Sequence, residues 1–95
     1  MKLHAFHPEA QVEFEAEFRF YETQRPGFGQ RFNAAVMAAV DRAREFPDCG
    51  APERESVRKL LTGRFPFVDY YELLNDTVVI WAVMHSARKP GYWWQ

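Results

Sequence analysis

The hydrophobic period changes once along this chain, and that switch decides what it can fold into. From Pro8 to about Gln24, Ala10, Phe14, Phe18 and Tyr21 recur at helical spacing, with the glutamates largely on the other faces. A second stripe of Phe32, Val36, Ala39, Val40, Ala43 and Phe46 predicts a helix from about Phe28 to Phe46, which Pro47 stops. "RPGFG" (25–29) breaks the helical pattern between them, so the two form an antiparallel hairpin. After a predicted loop over 47–56 the residues become β-branched and aromatic, in "VRKLL" (57–61), "RFPFVDYYELL" (64–74) and "TVVIWAVMHS" (77–86). Asn75-Asp76 marks a tight hairpin between the last two. At the front, "KLHAFH" (2–7) reads as a strand that ends at Pro8, a residue suited to a first helical turn because its missing N–H has no partner there. The expected fold is therefore α+β: two layers in the order β-α-α-β-β-β, a helical hairpin packed on a small, mostly antiparallel sheet.

At 95 residues the chain is a single domain, 1–95, with no repeat, low-complexity segment or linker. Its 47% apolar and 17% aromatic residues supply a packed core and exclude wholesale disorder. Lone Cys49 has no partner for an internal disulfide, the N-terminus lacks the apolar run of a signal peptide, and no stretch reaches membrane-spanning length. A reducing cytoplasm is the expected compartment, and no membrane is expected as a partner. Residues 1–52 carry six Lys/Arg against eight Asp/Glu, and residues 53–95 carry six against five. A net charge of −1 argues against broad nonspecific binding of nucleic acid while leaving room for a local basic face.

The last predicted strand alternates Val79, Trp81, Val83 and His85 on one face with Val78, Ile80, Ala82 and Met84 on the other. Such a strand is central and covered on both sides, with His85 where it leaves the core and "HSARKPGYWW" (85–94) begins. The segment from "LLTGRFPFVDYYELL" to that tail resembles the C-terminal sheet of the RelE/ParE family of toxins of type II toxin–antitoxin systems. "HPEAQVEFEAEFRFYETQRPGFGQRF" resembles the same family's helical hairpin, so the similarity spans nearly the whole chain. "GRFPF", Tyr70-Tyr71 and the terminal H-x-x-R-K-P-G-Y-W are its most specific marks, the last found in members described as plasmid stabilisation proteins.

The resemblance implies a growth-inhibiting toxin neutralised by a cognate antitoxin, with two branches of mechanism. RelE-like members are mRNA interferases, ribosome-dependent endoribonucleases that work without a metal; ParE-like members inhibit DNA gyrase and cleave nothing. Metal-free RNA cleavage needs the 2′-hydroxyl deprotonated, the phosphorane charge stabilised and the leaving oxygen protonated. Carried onto this chain, the ribonuclease branch implies Arg58, Lys59, Arg64, His85, Arg88 and Tyr92 as its catalytic set. One position departs from it: where that branch has an aromatic followed by arginine, this chain has Phe65-Pro66, and proline carries no charge. Arg64 lies on the other side of the aromatic, and strand neighbours point to opposite faces. Pro66 and the pI near 6.3 favour gyrase over a translating ribosome and its mRNA as the target. In the gyrase reading Arg88, Lys89, Tyr92 and Trp93 are contacts, with no reacting group required.

Each candidate also has a plainer structural role. His85 suits a strand end held by hydrogen bonds, the tail aromatics suit a cap on the core, and the glutamates of the first helix suit a solvated face. His4, His7, His85 and Cys49 lack metal-ligand spacing, and "RPGFG" lacks the Gly-Lys-Ser/Thr of a phosphate loop, so no metal or cofactor is expected. The second helix and the basic strand near Arg58 are the expected docking surfaces for an antitoxin segment, as a helix in a groove or a strand added to an edge.

Overall fold

The computed structural model describes residues 2–87. Its elements are β1 (Leu3–Phe6), α1 (Pro8–Gln24), α2 (Phe28–Glu45), β2 (Ala51–Arg54), β3 (Val57–Thr62), β4 (Phe65–Leu74) and β5 (Thr77–His85). α1 begins at Pro8, and His7 caps it by accepting the Glu9 N–H on Nδ1 at 3.2 Å. Arg25 leaves the helix in an extended conformation, as the residue before a proline favours.

The hairpin turn is held by one carboxylate. Gly27 adopts φ of +87°, a conformation open to glycine, and has no side chain with which to cap α2. Glu22 of α1 supplies the cap: its two oxygens accept the N–H groups of Gly27 at 2.9 Å and Gly29 at 3.0 Å. Negative charge is favoured at a helix N-terminus, where those amides point outward without intrahelical partners. At Gly29 the helices touch backbone to backbone, since a Cβ there would stand 2.6 Å from the Phe18 carbonyl oxygen.

The sheet order is β1-β5-β4-β3-β2, with β1 parallel to β5 and every other pair antiparallel. The hairpin between β4 and β5 turns on Asn75 and Asp76, at φ of 47° and 68°, the two positive values that a two-residue loop of this hand requires. Both helices pack on one face of the sheet, where Ala10, Phe14, Phe32, Val36, Val40 and Ala43 meet Phe67, Tyr71, Val78, Ile80 and Val83. A second cluster of Val57, Val68, Tyr70, Ala82 and Met84, joined by Trp81, lies on the other face.

Two expectations are corrected. The loop predicted over 47–56 contains an extra strand, β2, so four strands follow the helices where three were expected. Ala-Pro-Glu-Arg carries no apolar alternation, and Pro52 is tolerated because β2 is the sheet edge. The simple alternation along β5 also fails, because Tyr71 pairs with Ile80 while Tyr70 pairs with Ala82. Trp81 is thus an inserted bulge residue, and the inward set changes from Val78 and Ile80 to Val83.

Gly29→Ala is expected to destabilise the fold by about 1–3 kcal/mol through overpacking, outweighing the roughly 1 kcal/mol that alanine gains in a helix. Urea unfolding measures it, and an unchanged or raised midpoint would show that the helices separate at little cost.

Candidate functional site

The described candidates are distributed by the strand period and by the partners each cation finds. Arg58 and Lys59 are neighbours on β3, so their side chains leave opposite faces of the sheet. Arg58 pairs across the ladder with Tyr71, and its guanidinium donates to the carbonyls of Gly50 at 2.8 Å and Asp48 at 3.3 Å. It also stands 3.8 Å from the Asp48 carboxylate. Tyr71 holds the same segment from inside: its hydroxyl accepts the Gly50 N–H at 2.9 Å and donates to the Pro47 carbonyl at 2.8 Å. Burial pushes the Tyr71 phenol up to about 12, so it remains a donor at neutral pH. Arg58 and Tyr71 together fasten the chain between α2 and β2.

Lys59 forms an ion pair with Glu53 of β2 at 3.0 Å, and the hydrogen bond to that carboxylate raises the ammonium above its usual range. Arg64 lies in the turn between β3 and β4, exposed, after Gly63 at φ of +65°. His85 ends β5 beside Phe67, ring centroids 5.4 Å apart, with Nδ1 accepting the Ala87 N–H at 3.1 Å. This leaves Nε2 for any other partner. Arg58 lies across from Tyr71 and His85 across from Phe67, on opposite sides of β4 and four positions apart, so they are offset by roughly 13 Å along the strand and by two strand spacings across it. Arg88, Lys89, Tyr92 and Trp93 lie outside the described residues.

Three features depart from the sequence reading or lie outside it. Glu13 and Glu17 belong to no simple solvated face: both are half-buried and line a groove of about 590 Å³ with Tyr21, Phe67, Val83 and His85. Only their alignment one helical turn apart was visible beforehand. The edge next to Arg58 is not open to strand addition, because β2 already pairs there. Asp69 is 1% exposed on the helix-facing side of β4, between Leu60 of β3 and Val83 of β5, and neither carboxylate oxygen has a hydrogen-bond partner among the described residues. Desolvation raises its carboxyl well above the usual range. The charged residue in "FVDYY" was its one sequence signal.

Among the described residues, no group of three or more His, Cys, Asp or Glu is placed to hold a metal, and no helix is long and apolar enough to cross a membrane. The architecture defines a class: small α+β domains in which a helical hairpin covers one face of a mixed five-stranded sheet. The family model described as "ParE toxin of type II toxin-antitoxin system, parDE" matches residues 5–90. The chain therefore belongs to the ParE toxin family, and is the toxin component of a type II toxin–antitoxin system with a cognate antitoxin as its partner. It is also similar in fold to a solved structure titled "Chromosomal ParDE TA system from P. aeruginosa", at TM-score 0.75 and 18% identity, over 90% of this chain and 96% of that one. No curated protein matches it.

Two outcomes follow from the buried groups. Arg58→Ala is expected to lower stability by about 1–3 kcal/mol, because the Gly50 carbonyl loses a charged donor; an unchanged unfolding midpoint would remove its anchoring role. For Asp69, the folded carboxyl binds its proton more tightly than the unfolded one. Stability is thus highest below the unfolded value near pH 4 and falls as pH rises through the folded value. Asp69→Asn is expected to remove that slope in unfolding curves taken from pH 4 to 8, and a slope that survives would assign it to another group.

Proposed function

We propose that this toxin acts by binding DNA gyrase, through contact and without a reacting side chain. The observation that carries the reading is the dispersal of the described ribonuclease candidates. Arg58 is committed to backbone carbonyls, Lys59 leaves the opposite face against Glu53, and His85 ends a strand beside the helix-facing side. General acid–base chemistry requires such groups within hydrogen-bond reach of one phosphate. Pro66 adds to this, since it stands where the ribonuclease branch has an arginine and its carbonyl accepts the Ser86 N–H at 2.8 Å as part of the sheet.

Membership of the ParE family supports the same target. The proposed contacts are Arg88, Lys89, Tyr92 and Trp93, which follow β5 in the chain. Arginine, tyrosine and tryptophan are the side chains most enriched among those that dominate protein interfaces.

The test is gyrase supercoiling of relaxed plasmid with the purified chain, beside primer extension on a message under translation. Supercoiling is expected to stop with no new 5′ ends. Alanine at both Arg88 and Lys89, with the fold verified by circular dichroism, is expected to raise the half-inhibitory concentration by about tenfold, equivalent to about 1.4 kcal/mol of contact. Intact supercoiling by growth-inhibiting protein, or new ends within codons, would overturn the reading.

A further inference from the structure

The fold brings the turn between α1 and α2 against the turn between β3 and β4, and gathers there Arg64, which stands apart from the other ribonuclease candidates, with residues that no reading above has used together. Tyr21, Phe28 and Phe65 are mutually in contact, with ring centroids 5.1 to 5.4 Å apart. They floor a cleft of about 520 Å³ whose walls include Pro66, Arg31 and Arg64. Arg25 stands over the Phe28 ring at 6.0 Å. Among the described residues none of these three arginines has a carboxylate within 4.0 Å, whereas Lys2, Arg44, Arg58 and Lys59 each do. Glu22, the acid nearest Arg25 and Arg31 in sequence, is occupied by the amides of Gly27 and Gly29.

An aromatic floor with an uncompensated cationic rim selects its occupant. Arginine presents a planar fork that matches a carboxylate, and it is less strongly hydrated than an ammonium, so it can be covered at low cost. The floor takes an apolar side chain, because Phe28 and Phe65 are half-buried and Pro66 is exposed beside them. Burial, followed by Glu17, raises the Tyr21 phenol and keeps it a neutral donor at the cleft's inner edge. A nucleic acid strand is the weaker match, since its phosphates recur along the backbone and the chain as a whole carries −1.

We propose that this cleft receives an acidic, apolar segment of the cognate antitoxin, with a bulky side chain on the Tyr21–Phe28–Phe65 floor and carboxylates on Arg31 and Arg64. The proposal rests on the pairing with an antitoxin and is independent of gyrase as the target. It also gives the partner a basic surface in place of the β3 edge that β2 covers.

The isotope-labelled toxin is titrated with a blocked peptide of alternating glutamate and leucine, and separately with its lysine–leucine counterpart and a short oligothymidylate. The expected result is NMR shifts at the Arg31 and Arg64 side chains and the Phe28 and Phe65 rings with the acidic peptide alone. They should weaken as salt rises to about 0.5 M and vanish in Arg31→Gln/Arg64→Gln. Both positions are exposed, and the remaining resonances verify that the variant folds. The same variant is expected to weaken binding of the cognate antitoxin by about tenfold or more. Absence of shifts at these residues, shifts from the oligonucleotide but not the acidic peptide, or unchanged antitoxin affinity would each overturn the proposal. None of these outcomes bears on supercoiling by gyrase, so the two readings fail separately.

Discussion

The extra residue at Trp81 governs the arrangement of everything placed on the last strand. β5 is paired on both sides, parallel to β1 before the bulge and antiparallel to β4 along its length, so one inserted residue cannot be absorbed by shifting a free edge. The strand instead exchanges its faces. Val78 and Ile80 face the helices before Trp81, and Val83 does so after it, with His85 following at the same parity beside Phe67. The indole is fixed by Glu72, whose carboxylate accepts its N–H at 3.0 Å, and by the His7 ring at 5.3 Å. The same bulge carries Ala82 and Met84 onto the far face with Val68 and Tyr70. Without it, the half of β5 that leads to His85 would present the opposite set to α1, and the groove with Glu13 and Glu17 would have no histidine.

The cations divide according to whether the sheet needs them. Arg58 is bound to the 47–50 segment because that segment has backbone carbonyls and no regular partner until β2 begins. Lys59 and Glu53 link β3 to the edge strand, a pair whose contribution to stability is small because the ammonium meets water. Among the described residues, Arg64 and Arg31 have no carboxylate partner. They sit on a turn and an exposed helix face, where a cation costs little to maintain. Proximity in sequence to a conspicuous motif was therefore a poor guide to which charges are available.

Local chemistry made most of the fold legible. Pro8 and the spacing of Ala10 and Phe14 gave α1 its limits, and the Asn75-Asp76 turn was set by the positive φ values those residues accept. β2 left no mark because its formation depends on pairing with β3 and on Arg58 reaching the Gly50 carbonyl, neither of which is a local property. The bulge was hidden for another reason. Every residue from Val78 to Met84 is apolar, so a one-residue slip changes the face of each side chain without placing a polar group in the core. Of the site, the opposed directions of Arg58 and Lys59 follow from period two alone, whereas the cleft under Arg31 and Arg64 depends on two turns meeting in space.

Asp69 is the point where local consistency breaks. A carboxyl between Phe67 and Tyr71, with both oxygens unpartnered among the described residues, opposes the burial that the rest of β4 promotes. Its neighbours across the ladder, Leu60 and Val83, offer no donor, and the β4 amides are engaged with β3 and β5. The raised carboxyl lessens the conflict by favouring the neutral acid, which still leaves an O–H without a strong acceptor. The centre of the sheet is consequently less stable near neutrality than an all-apolar strand would be. A fold with that weakness benefits from any partner that binds only its native form, because binding adds directly to folding stability. For a toxin paired with an antitoxin, neutralisation and stabilisation are then two effects of one binding event.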